Sequence, residues 1–250
     1  MLNNSDIDYN KTSESDNLYI VIPAYNEEMN IDAVARQWHE VVRKIGGKSK
    51  LLIINDGSKD NTYEKLQTLK AELPYLYPLT KPNGGHGSTV LYGYQTALKE
   101  NADFIFQTDS DGQTLPSEFE AFWEKRLNHA AIIGSRNHRQ DGISRVFVTK
   151  VLKVVLRLIF GIKVTDANTP YRLMKRETLA KYVPQIPDNF NLSNVLLTVL
   201  MLDAGEDVLF LPITFRPRQG GKNSINLKKI VKIGCQAVKD FRQIRKSMKK

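Results

Sequence analysis

The chain has 250 residues, 41% of them apolar and 25% charged, with a formal net charge of +9. That is enough for one sizeable core and excludes a fibrous or wholly disordered chain. The single cysteine, Cys235, excludes an internal disulfide, and no stretch approaches the roughly 18 consecutive apolar residues of a membrane-spanning helix.

Residues 1–17 are polar, lack the basic and apolar regions of a signal peptide, and are expected to be disordered. Residues 18–23 (LYIVIP) predict a first strand. The stretch 26–47 then places Ile31, Val34, Trp38, Val41, Val42 and Ile45 at helical spacing, with Asn26 as the expected N-cap, Glu27 and Glu28 at the positive end, and Gly46-Gly47 as the stop. Residues 51–55 (LLIIN) predict a second strand, 60–72 a helix, 75–80 a weak third strand and 88–99 a third helix. Residues 104–109 (FIFQTD) predict a fourth strand, 116–127 a helix opened by Pro116, and 130–135 (AAIIGS) a fifth strand. Continuously apolar strands alternating with helices predict an α/β fold with a mostly parallel sheet covered on both faces.

In such sheets ligands gather at the carboxyl ends of the strands. Here those ends carry PAYNE (23–27), NDGSKDNT (55–62), KPNGGHGS (81–88), DSDGQ (109–113) and GSR (134–136). Each alone reads as a turn; their recurrence in order reads as a site. Asp109 and Asp111, one residue apart where a buried strand stops, can share a hard divalent cation, and Gln113 supplies a further oxygen. An EF-hand is excluded, because Gln107 would hold the first ligand position, Pro116 falls inside the loop and a strand precedes it. NGGHG lacks the third glycine of a dinucleotide fingerprint, where Val90 stands, and the Lys-Ser/Thr of a P-loop.

The blocks VIPAYNEEMNI, LLIINDGSKDNT, FIFQTDSDGQTLP and IIGSRNHRQDGISR, taken in order, resemble the metal-dependent inverting glycosyltransferases of family 2, which have the nucleotide-sugar-binding GT-A fold. The resemblance covers residues 18–225. Gln113, GSR followed by ISRVFVT, and DANTPYRLMKRE (166–177) are most similar to the polyprenyl- and dolichol-phosphate sugar transferases. It implies a Mg2+ or Mn2+ cofactor, a UDP- or GDP-sugar donor and a polyprenyl-phosphate acceptor. It also implies roles. Pro23, Tyr25 and Glu27 would line the base and ribose pocket, and Asp56 would hydrogen-bond the nucleobase. Asp109 would face ribose and metal, and Asp111 and Gln113 would ligate the metal. Arg218 would close over the donor diphosphate. Arg136, Arg145 and Thr149 would hold the acceptor phosphate, and His86 is a further candidate for a phosphate contact.

Two departures sharpen this. Relatives that glycosylate a hydroxyl show paired acids in the region of 188–195, where this chain has DNFNLSNV; a phosphate acceptor is already anionic and needs no base. Asp166 and Asp188 remain candidate bases for the alternative, a sugar-hydroxyl acceptor, and a third reading is a non-catalytic nucleotide-sugar sensor. Many relatives also carry membrane helices. Here residues 222–250 hold ten basic residues and one acidic, so the rest of the chain is charge-balanced. In 226–250, Ile230, Ile233, Ala237, Phe241, Ile244 and Met248 form an apolar stripe. That segment is expected to be a helix appended to the domain, lying on an anionic membrane or docking on a membrane-embedded subunit, at the cytoplasmic face. Residues 145–161 read equally as an interfacial helix or as core. Nothing accompanies the cationic tail that would make it a nucleic-acid binder.

Overall fold

The structure is a computed structural model. It describes residues 16–136, 143–218, 220 and 227–248; the side chains of 143–150, 227–235 and 247–248 fall outside the described set. Seven strands form one sheet: β1 (Leu18–Ala24), β2 (Lys50–Asp56), β3 (Leu76–Lys81), β4 (Phe104–Gln107), β5 (Ala131–Arg136), β6 (Arg172–Lys175) and β7 (Val208–Ile213). Their order is β3-β2-β1-β4-β6-β5-β7. β6 runs antiparallel to β4 and β5, and every other neighbouring pair is parallel.

The helices are α1 (Ile31–Ile45), α2 (Thr62–Glu72), α3 (His86–Lys99), α4 (Phe119–Trp123), α5 (Ile143–Phe160), α6 (Arg176–Tyr182), α7 (Ser193–Asp203) and α8 (Leu227–Met248). Because side chains alternate along a strand, β1 supplies both faces of the sheet. Leu18, Ile20 and Ile22 meet Trp38 of α1, Leu66 of α2 and Phe119 of α4. Tyr19 and Val21 join the layer of α3, α7 and α8 through Leu91, Leu196 and Phe241.

Local expectations fail at four places. Helix α1 starts at Ile31, not after Asn26, which takes φ +54°. Asn26 is used sideways: its amide donates to Ser58 Oγ (3.0 Å) and its Oδ1 accepts from the Lys59 amide (2.8 Å). The helix foreseen over 116–127 is a 3-10 turn at Pro116–Glu118 followed by the short α4. It stops where Arg126 folds back, its guanidinium 4.2 Å from the Trp123 ring and its Nη2 2.8 Å from Asp16. β6, β7, α6 and α7 carry no clear periodic signal, and β6 opens on a fully buried arginine.

The fourth concerns the tail. α8 forms, but it is not an appendage: Ala237 and Phe241 are buried in the core, with Ile244 packed against them. The Phe241 ring meets Phe160 at 5.8 Å and Phe190 at 5.7 Å, and Arg245 Nη1 binds Asp203 at 2.9 Å. These side chains face the domain rather than a bilayer, so removing 228–250 would open the core. Ile230, Ile233 and Met248 lie outside the described side chains. No helix among the described residues is long and apolar enough to cross a membrane.

His39, on the buried side of α1, is 3% exposed, and neither ring nitrogen has a hydrogen-bond partner. Burial lowers its pKa, against a weaker pull from Glu40. The folded ring therefore stays neutral where the unfolded one charges. Stability is full above about pH 6.5 and falls as pH drops below it. Thermal melts should show the wild type losing stability on acidification faster than His39→Leu; a gap independent of pH would show that His39 protonates freely in the fold.

Candidate active site

The strand order reverses beside β1: β2 and β3 lie to one side, β4 and the rest to the other. The loops leaving β1 and β4 diverge there, opening a crevice at their carboxyl ends. The turn after β4 is tightly braced. Ser110 Oγ donates to Pro23 O (2.8 Å), the Thr108 and Thr114 hydroxyls share a bond (2.7 Å), and Gly112 takes φ +70°. The Gln113 amide donates to Asp111 Oδ1 at 3.1 Å.

This holds two under-neutralised carboxylates together. Asp109 Oδ1 is buried without a hydrogen-bond partner, and the His86 ring stands 3.9 Å away. Burial, then the charge of Asp109, push the Asp111 carboxyl up to about 7, against the Gln113 amide and Arg218. Among the described residues no cluster of three or more His, Cys, Asp or Glu is arranged for a metal. A Mg2+ or Mn2+ ion held by two carboxylates, with phosphate and water oxygens completing its shell, fits this donor set; a structural zinc does not. Gln113 is buried and its Nε2 donates to Arg216 O (2.8 Å). The Arg216 amide returns a bond to Gln113 O (2.9 Å), so Gln113 straps the segment after β7 to the turn.

That segment brings Arg218 over the crevice. Its Nη2 donates to Glu27 Oε1, its Nε to Gly220 O (2.6 Å), and its Nη1 lies 3.9 Å from Asp111 Oδ2. Glu27 Oε2 accepts from Asn30 Nδ2 (2.7 Å). Burial raises the Glu27 pKa in spite of Asn30 and Arg218. Glu27, Asp109, Asp111 and Arg218 thus converge. Pro23 is buried at the floor and Tyr25 half-buried beside it.

Asp56 ends β2 opposite Lys81 at the end of β3. Its Oδ1 accepts from Lys81 Nζ (2.6 Å) and the Gly84 amide (2.9 Å), and its Oδ2 from the Gly85 amide (2.9 Å). Burial opposes this charge, yet Lys81 and the Gly84 amide hold its pKa below the usual value. Asp56 therefore anchors the glycine loop, and a nucleobase would have to use the lone pairs these donors leave. The loop needs its glycine at 87 for another reason: a Cβ there would meet Phe190 O at 2.1 Å. This close approach seats the 187–192 segment against the start of α3.

On the other side of the crevice, Arg136 closes β5. Its Nε and Nη2 grip Asp166 at 2.7 and 2.8 Å, and its guanidinium lies 5.1 Å from the Phe215 ring. The backbone of Arg145 and Thr149 is in α5, but their side chains lie outside the described residues. Of the two carboxylates weighed as a base, Asp166 has both oxygens on Arg136, and Asp188 accepts from Gln95 at the surface (3.2 Å).

Three residues were not foreseen: Lys81, Arg216 and Arg172. Arg172 is fully buried and donates to Ala167 O, Thr169 O, Asn194 O and Thr198 Oγ1 at 2.9 to 3.3 Å. It pins the loop holding Asp166 to the first turn of α7. It opens β6 rather than interrupting an apolar run, so the sequence carries no local signal for it; once buried, an arginine must find acceptors.

Comparison with known proteins adds to this geometry. The sequence profile of Glycosyl transferase family 2 matches residues 19–183. Undecaprenyl-phosphate 4-deoxy-4-formamido-L-arabinose transferase of Pectobacterium atrosepticum is 27% identical over 167 residues, covering 66% of this chain and 50% of that protein. The chain therefore spans about half the length of such relatives. Undecaprenyl-phosphate mannosyltransferase of Micrococcus luteus is 25% identical over 215 residues, covering 82% of this chain and 86% of that protein. Among solved structures, glucosyl-3-phosphoglycerate synthase from Mycobacterium tuberculosis, in complex with Mn2+, UDP and glucosyl-3-phosphoglycerate, superposes with a TM-score of 0.67 at 16% identity. That match covers 92% of this chain and 79% of the other. At such identity the likeness is one of fold, and the fold is GT-A.

Proposed function

Since the chain belongs to glycosyl transferase family 2, we propose that it moves a sugar from a nucleotide diphosphate to a polyprenyl phosphate, with inversion at the anomeric carbon. The observation that carries this reading is the Asp109–Asp111 pair, short of positive charge at the strand switch, with Arg218 3.9 Å from Asp111.

In this reading Asp109 and Asp111 hold Mg2+ or Mn2+, which when bound neutralises charge on the leaving diphosphate. Pro23, Tyr25 and Asp56 meet the nucleoside at the ends of β1 and β2. Arg218 transfers part of its hydrogen bonding from Glu27 to a phosphate, for which its planar fork is suited. Arg136, with Arg145 and Thr149, orients the acceptor phosphate. One acceptor oxygen bonds to the anomeric carbon from the face opposite the breaking bond to the diphosphate. No proton has to be removed. That agrees with Asp166 being engaged by Arg136 and Asp188 being turned to the surface.

The test is a transfer assay with Mn2+ or Mg2+, a panel of UDP- and GDP-sugars, and a short-chain polyprenyl phosphate in detergent. A glycosylated lipid phosphate of inverted configuration, formed only with the metal, is the expected product. Donor consumption with sugar-hydroxyl acceptors alone would move the assignment to a glycan transferase. Binding of a nucleotide sugar without any turnover would make the chain a sensor.

A further inference from the structure

Helix α5 follows β5, whose end carries Arg136, so it leaves the acceptor side of the crevice. Its inner face is spent on the core: Leu156 and Phe160 are buried, and Leu152, Val155 and Ile159 pack beside them. The outer face is not polar. Val151, Val154 and Leu158 are 45%, 57% and 80% exposed. At about 100° per residue they fall within about 60° of one another on the helix. Lys153 and Arg157 are exposed alongside, and Lys163 is exposed just beyond the helix. Residues 143–165 contain five basic residues and no acidic one. α8 packs beside α5 and exposes Lys239, Arg242 and Lys246.

A leucine four-fifths exposed, inside an apolar strip bordered only by cations, needs an occupant that is apolar in depth and anionic at its surface. We propose that the outer face of α5 is the membrane-docking surface of this protein, with Val151, Val154 and Leu158 entering the headgroup boundary of an anionic leaflet and Lys153 and Arg157 meeting its phosphates. The pattern of an apolar strip beside a basic one is that of a helix lying in the interface plane. Charge decides against a second copy as occupant, since two such faces would bring like charges together. The inference rests on the lipid-phosphate reading, and it adds a geometry: the docked helix holds the Arg136 side of the crevice near the headgroup level, where a polyprenyl phosphate presents its phosphate.

The test needs no turnover. Wild type and the double variant Val154→Glu/Leu158→Glu are floated with vesicles of phosphatidylcholine and phosphatidylglycerol at low and high salt. Both side chains are exposed, so the variant should keep the wild-type melt and the same response to Mn2+ and UDP. It should partition onto these vesicles about tenfold less or worse. Lys153→Gln/Arg157→Gln should weaken the binding and flatten its salt dependence. Transfer to a vesicle-embedded polyprenyl phosphate should then lose in KM, whereas transfer in detergent should not change. The inference is overturned if the wild type fails to float at low salt, floats equally on pure phosphatidylcholine, or floats no better than the glutamate variant. It is also overturned if the wild type is a dimer that these glutamates dissociate. If flotation behaves as stated and no polyprenyl phosphate is glycosylated, the docking stands and the acceptor assignment falls.

Discussion

Asp111→Asn should lower sugar transfer by about a thousandfold or more, because it removes one of two carboxylates proposed to hold the ion that stabilises the leaving diphosphate. The same change should leave the fold sound. Asp111 is half-buried beside Asp109 and its charge is disfavoured there, with its pKa pushed up to about 7. At neutral pH an amide in its place relieves that repulsion, so the metal-free variant should melt no lower than the wild type. Adding Mn2+ with UDP should raise the wild-type melting temperature and leave that of the variant nearly unmoved. If both proteins respond alike to Mn2+ and UDP, the metal site lies elsewhere in the crevice.

A second large effect is expected at Arg136, where stability and transfer can be separated. Arg136→Met takes the bidentate partner from Asp166, a carboxylate with a side-chain exposure of only 7%. Breaking such a pair from one side costs on the order of 3 kcal/mol. The double variant Arg136→Met/Asp166→Asn should recover most of that loss, because no buried charge is stranded. Transfer should not recover with it. It should remain down by roughly a hundredfold, an effect of losing acceptor orientation, while affinity for UDP stays near the wild-type value. Recovered transfer in the double variant would show that Arg136 serves only to neutralise Asp166.

What the sequence revealed depended on the range of the interaction. β1, β2, β4 and β5 were legible because strands buried on both faces read as continuous apolar runs. The Asp109–Asp111 pair was legible because its meaning is local to one turn. Lys81 was missed because its bond to Asp56 depends on the register of β2 against β3, which neither strand contains alone. Asp166 was first weighed as a base. Its grip on Arg136 joins residues 30 positions apart across a connection that periodicity does not describe. β6 was invisible for a different reason: four residues opening on an arginine, paired antiparallel in an otherwise parallel sheet, carry no apolar run. For α8 the periodicity found a face that Ala237, Phe241 and Ile244 turn to the core, but not what covers it. A helical apolar pattern identifies a face that wants cover and says nothing about whether lipid or protein supplies it.

The seating of Phe241 between Phe160 and Phe190 also bears on how the molecule is made. A ribosome delivers the chain from its amino end, so β1 through β5, with their helices, emerge well before α8. Until residues 237–244 follow, Phe160 and Phe190 lack the ring that closes over them. The nascent protein thus passes through a stage in which the sheet can pair while one of its two helical layers is still unroofed. Partly covered intermediates of this kind bind chaperones and aggregate at raised concentration. Completion of this layer waits for α8, so its timing is set by the synthesis of that helix rather than by the folding rate of the sheet.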